Sequence, residues 1–232
     1  AGGKGFSITG SGGMTLDGIL TLDLGDKGSA VITNITNNFA NNPTGKTANL
    51  IITSLSDVTL GVNGEIVLGD SDITGALTLT SGSDILQQSG KRIVVTGTST
   101  FDVNNGSVIL NQAQNNFTGA VTVGGTSVQG VDLFSIENLI LGGGSASSLI
   151  AESGGSLTQE GILSVTGAAI FSAGENLTLN QENSFSSVAI EAAKTAEIHN
   201  KGDLKLGDVQ VAETLTLNVS DGGLFQNVRR AV

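Results

Sequence analysis

Val95-Thr-Gly-Thr-Ser-Thr-Phe101 and Val165-Thr-Gly-Ala-Ala-Ile-Phe171 stand 70 residues apart and share a valine, a Thr-Gly pair and a phenylalanine. The likeness continues downstream. Gly106-Ser-Val-Ile-Leu-Asn-Gln112 followed by Asn115-Asn-Phe117 is matched by Glu175-Asn-Leu-Thr-Leu-Asn-Gln181 followed by Asn183-Ser-Phe185. Upstream, Gln88-Ser-Gly90 and Gln159-Glu-Gly161 keep the register. A weaker copy lies nearer the start, where Leu22-Asp23-Leu24 parallels Phe101-Asp102-Val103 and Asn37-Asn-Phe39 parallels Asn115-Asn-Phe117. The offsets between copies, 68–70 and 78–79 residues, imply small insertions between elements. The chain thus carries a degenerate long repeat, with copies at about 15–75, 76–145 and 146–215 of a single segment spanning 1–232.

Within each copy the apolar runs are short, β-branched and alternating. Ile19-Leu-Thr-Leu-Asp-Leu24, Asp57-Val-Thr-Leu-Gly-Val62, Ala76-Leu-Thr-Leu-Thr80 and Thr214-Leu-Thr-Leu-Asn-Val219 are examples. Period-two alternation bounded by Gly, Asn, Asp or Ser is the mark of a strand. The stretch from Val188 to Ile198, rich in Ala, is the one place where helical spacing competes, and its flanks read as two strands joined by a turn. The chain is predicted to be all-β, with roughly two dozen strand-like runs at the spacing of a sandwich, barrel or solenoid.

The repeat decides among these. A copy of about 70 residues holds far more strands than a hairpin and no immunoglobulin-like Trp or Cys pair. The prediction is a parallel β-helix (β-solenoid) with about three coils per copy and about ten in all, a rod roughly 50 Å long at the ~4.8 Å strand spacing. Inward Val, Ile, Leu and Phe stack from coil to coil, while Gly, Asn and Asp occupy left-handed corners. The repeated Phe39, Phe117, Phe185, Phe101 and Phe171 are assigned to that core. The single Pro, Pro43, is placed in a protruding loop, since an interior strand must donate every backbone N–H.

Composition narrows the chemistry. Of 232 residues, 34 are Gly and 38% are apolar, enough for a core. There is no Cys, which excludes disulfides, thiolate metal sites and a Cys nucleophile. One His, His199, excludes any two-histidine metal site. A net charge of −11 with ten basic residues argues against nucleic acid and against anionic lipid. No run approaches the ~18 apolar residues of a membrane helix, so no membrane insertion is expected. The abrupt start at Ala1-Gly-Gly-Lys-Gly-Phe6, without the apolar core of a signal peptide, is read as that of a piece of a longer chain or a processed product.

The Gln-Ser-Gly and Gln-Glu-Gly steps, the Val-Thr-Gly-x-x-x-Phe blocks, the Leu-Asn-Gln-x-x-Asn-x-Phe blocks and Gly119-Ala-Val-Thr-Val123 together resemble the shaft repeats of filamentous-haemagglutinin-like exoproteins. The resemblance is clearest over residues 76–190. It implies a right-handed winding and a large bacterial surface adhesin exported by two-partner secretion. It further implies an extracellular, outer-membrane-associated location, with a host or matrix glycan or protein as ligand and scope for self-association along the fibre. The Asn-Pro-Asn motifs of that family's secretion domain are not matched by Asn42-Pro43-Thr44, which points to a shaft segment.

Parallel β-helices also host polysaccharide-cleaving enzymes, so carboxylate pairs matter. Asp70 with Asp72, and Asp23 with Asp26, are such pairs. They are read as solvated turn residues, because no polygalacturonase-type set accompanies them and the Arg are Arg92, Arg229 and Arg230. His199 shares a strand face with Glu197 but has no nucleophile elbow, and is read as a surface histidine. Gly142–Gly144 lacks the Lys-Ser/Thr of a phosphate loop and the carboxylate of a calcium turn. The sequons at Asn34, Asn105, Asn116, Asn176 and Asn218 are expected by chance in so Asn- and Thr-rich a chain. The spacing of the Thr-x-Thr steps at 78–80, 98–100 and 214–216 does not make a regular array. No residue is assigned to catalysis, a cofactor or a metal. The expected function is a non-enzymatic shaft of an adhesin or extracellular fibre, serving adhesion or matrix and biofilm attachment. A self-assembling filament or sheath subunit, or a polysaccharide-acting enzyme, is the alternative.

Overall fold

A computed structural model describes residues 19–24 and 50–226 in full, together with the backbone of strand segments at 6–7, 15–16, 30–32 and 38–39. Pro43, Asp26, the Asn34 sequon, Arg229, Arg230 and the Phe39 side chain lie outside the described residues. The described residues hold strands and no helix, and every strand pairing is parallel. Parallel neighbours cannot be joined by a tight hairpin, so the chain must travel right round before pairing again. It does so about 9 times with a spacing of ~19 residues. At ~4.8 Å per strand the wound part is roughly 43 Å long.

Three ladders share the circumference. The first runs through Val58–Val62, Leu77–Ser81, Ser99–Asn104 and Val121–Thr126. The second runs through Ile66–Leu68, Ile85–Gln87, Val108–Leu110, Gly130–Ser135 and Ser148–Ser153. The third begins as Ser71–Ile73, Ile93–Val95 and Asn116–Phe117. Beyond residue 139 the strands turn the corners without breaking, so Leu163–Ala173 serves the first and second ladders and Asn176–Ala192 serves all three. The Ala-rich stretch around Val188 resolves into Asn176–Ala192 and Thr195–Lys201, two strands with a turn between them.

Alternation sends one side chain in and the next out. Leu77, Leu79, Phe101, Val103, Val108 and Leu110 are fully buried, and like-facing residues of successive coils form one continuous core. Phe101, Phe117, Phe171 and Phe185 all point inward, each at most 2% exposed. They meet in two edge-to-face pairs, Phe101 with Phe117 at 6.3 Å between ring centres and Phe171 with Phe185 at 5.7 Å.

The Thr-Gly step of the repeat has a plain steric cause. Gly75, Gly97 and Gly119 stack at the corner between the third and first ladders. A Cβ on Gly97 would lie 2.5 Å from the Gly75 carbonyl carbon, and one on Gly119 2.4 Å from the Gly97 oxygen. No other residue type fits that approach. Where the Gly142-Gly-Gly144 run pairs with Val121–Val123, the register slips by one residue, a bulge that Gly143 and Gly144 accommodate with φ of 109° and 143°.

One feature departs from simple stacking of equivalent residues. Leu77–Ser81 belongs to the first ladder, whereas its counterpart in the next copy, Leu149–Ser153, belongs to the second. Likewise Phe101 sits on the first ladder and Phe171 on the second, while Phe117 sits on the third and Phe185 on the first. A sequence repeat therefore takes up three turns and one further face rather than three whole turns. The coils are shorter than a third of 70 residues, as pairs such as Val58–Leu77 and Leu149–Ala169 show.

Candidate functional site

The Asx residues sit chiefly at corners, where they tie one coil to the next. The Oδ1 atoms of Asp57, Asp84, Asn138 and Asp203 accept the backbone N–H groups of Ala76, Ser107, Ser156 and Gly223 at 2.8, 2.7, 2.8 and 2.8 Å. Asp70 does the same for Arg92 N–H at 3.0 Å while its Oδ2 meets Lys91 Nζ at 2.9 Å. These contacts, the Lys91 hydrogen bond foremost, hold the Asp70 carboxyl below the usual range. Asp72 reaches Arg92 at 3.4 Å. Asp70 and Asp72 are thus engaged with Lys91 and Arg92 on the outer side of the third ladder. Carboxylates paired in this way hold cations and a backbone amide of their own chain.

His199 Nε2 lies 3.0 Å from Glu197 Oε1, also on the third ladder, with Thr216 and Asn218 beside them in register. Among the described residues no three His, Cys, Asp or Glu come together as a metal cage. No helix there is long and apolar enough to cross a membrane.

Sequence reasoning missed two buried amide clamps. Asn115 and Gln87 exchange two side-chain hydrogen bonds of 2.7 and 2.8 Å across adjacent coils. Asn115 Oδ1 also accepts Ile93 N–H at 2.8 Å, and its Nδ2 donates to the Leu110 carbonyl at 3.0 Å. One copy later, Asn183 and Gln159 repeat the exchange at 2.8 Å in both directions, with Leu163 N–H and the Leu179 carbonyl as outer partners. Both Asn are wholly buried. The signal was present as Asn two residues before each Phe, but the matching glutamine is Gln87, one residue before the Gln88 of the sequence alignment. A second missed feature is a row of outward threonines, Thr59, Thr78, Thr100 and Thr122, in register over four coils of the first ladder. Thr98 and Thr214 play no part in it.

Outside these structural contacts, carboxylates gather on the outer side of the second ladder. Burial pushes the Asp132 carboxyl up, against the opposing effect of a 2.6 Å hydrogen bond from Asn111 Nδ2. Glu152 is raised as well, first by burial and then by the charges of Asp132 and Glu191. A carboxyl whose pKa is higher folded than unfolded favours the protonated native state. It therefore costs stability above its folded pKa, and the cost vanishes as the pH drops below the unfolded value. Asp132→Asn is accordingly expected to raise the urea midpoint at pH 7 and to leave it unchanged below about pH 4. A lower midpoint at neutral pH would show that the Asn111 contact outweighs the burial.

Among known proteins, no curated sequence and no solved structure matches the chain. A family of repeats does, over residues 55–124 and again over 128–190, two stretches that together exceed half of the sequence. Their starts, like the two amide clamps and the two phenylalanine pairs, fall one ladder apart on the solenoid. The chain belongs to the family described as repeats of unknown function, DUF5649.

Proposed function

We propose that this chain is a non-enzymatic shaft segment of a bacterial cell-surface adhesin or extracellular fibre. The observation that supports the reading most is the unbroken stacking of parallel coils around one apolar core. Each coil rests on its neighbours, so length and stability grow by simple addition of turns. Acids at the corners, Asp57, Asp84 and Asp203 among them, tie one coil to the next, which suits a rod that bears load. The rod holds a binding region, for a host or matrix glycan or protein, away from the cell, and it works outside the cell.

Antibody against the folded chain should label intact cells of the source bacterium, and deleting its coding segment should reduce attachment to matrix. Labelling only after lysis would sink the reading. So would release of reducing ends from uronate or neutral glycans by the purified chain.

A further inference from the structure

The outward side of the second ladder differs from the Thr- and Asn-rich faces around it. Ile109, Asp132, Ile150, Ile170 and Ala189 stand there in register, one coil apart. The row continues towards the N-terminus as Leu86 and Val67, which are only 5% and 3% exposed, so the same row is already covered over two coils. Alongside it runs a row of small residues, Gly130, Ser148, Ala168 and Ser187. The difference in side-chain height leaves a shallow depression from Ser107 past Ile150 to Ile170, and a second one, on the other side of the row, adjoins it at Ile170 and reaches Gln210; together they make a groove along the solenoid axis. Phe134, Glu152 and Glu191 border its other side, and Asp208 lines its far end. The one cation that register places in these rows, among the described residues, is Lys205 at that same end.

We propose that this groove docks a partner polypeptide through an amphipathic helix whose apolar side carries flanking Lys or Arg. The length scale favours a helix. Its pitch of ~5.4 Å is the closer match to the ~4.8 Å between coils, so neighbouring turns meet neighbouring coils with a drift of about half a coil over the groove. An extended strand repeats its side chains on one face every ~6.8 Å and falls out of step. The groove crosses six coils, about 24 Å, which about 16 helical residues span. The small row permits close approach, the isoleucines supply apolar contact, and Asp132, Glu152 and Glu191 favour cations opposite. A second copy of this chain fits poorly, because it would bring the same carboxylates. This docking does not depend on the shaft reading.

The test uses an 18-residue Leu/Lys peptide with leucines at helical spacing, a scrambled peptide of the same composition, and a Leu/Glu analogue. Binding to the intact chain is followed by fluorescence anisotropy at low and high salt, and helix formation by circular dichroism. The amphipathic peptide should bind at least about tenfold more tightly than the scrambled one and become helical on binding. The outward pair Ile150→Thr with Ile170→Thr should weaken it by about tenfold, while Thr100→Ser on the first ladder changes nothing. Should the double variant unfold, Glu152→Lys on the groove's flank must give the same loss. Equal binding of ordered and scrambled peptides would reduce the effect to net charge and overturn the proposal. Wild-type affinity in the isoleucine pair and Glu152→Lys would do so too.

Discussion

Phe117→Ala is expected to destabilise the fold by about 3–5 kcal/mol, the ordinary cost of emptying a fully buried phenylalanine site. The ring has no exposure, lies beside the Val95 strand and meets Phe101 edge to face at 6.3 Å. Collapse into the space is hindered because the corner glycines already bring Gly97 and Gly119 to backbone contact. Since each coil leans only on its neighbours, the loss should be local. Hydrogen exchange should quicken chiefly in the coils between Ile93 and Leu141, while the Leu204 region stays protected. Phe134→Ala, on the outer row, serves as the comparison and should cost far less. A denaturation midpoint unchanged by Phe117→Ala would contradict the inward placement.

Asn183→Ala should cost a similar amount, about 3–5 kcal/mol, for a different reason. It strands Leu163 N–H, takes a donor from the Leu179 and His199 carbonyls, and leaves Gln159 with only its Gly161 carbonyl and Gln181 N–H contacts, each unsatisfied group costing about 1–3 kcal/mol. The diagnostic is the double variant. Asn183→Leu combined with Gln159→Leu removes both partners at once, so it should be less destabilised than the sum of the singles by about 1–3 kcal/mol. Strict additivity in urea unfolding would mean that the two amides stabilise the coils independently. The Asn115–Gln87 pair offers the same cycle one copy earlier.

How much of this was legible beforehand varies with the length scale involved. Period-two runs such as Ala76–Thr80 identify strands because alternation is local. The coil was legible in principle, since Ile73-Thr-Gly75, Val95-Thr-Gly97 and Phe117-Thr-Gly119 recur at one winding, yet the longer repeat, which shares more residues between copies, is the stronger pattern. Facing was harder. Val108-Ile109-Leu110 is apolar throughout, so alternation alone does not say that Ile109 looks outward; its register with Asp132 does. Asp70 sits at a corner as its reading as a turn acid expects, whereas Asp72 lies within the strand Ser71–Ile73, and their partners Lys91 and Arg92 lie some twenty residues on, a distance that only the winding defines. The amide clamps escaped because a buried Gln or Asn looks the same in sequence as an exposed one.

The advance by one face per copy has a geometric result for anything the repeat displays. A side group encoded once per copy traces a screw thread about the rod, returning to its starting azimuth only on the fourth copy. Long stretches would consequently present every such group on all three faces, and contact with a partner would depend little on how the rod happens to be rolled.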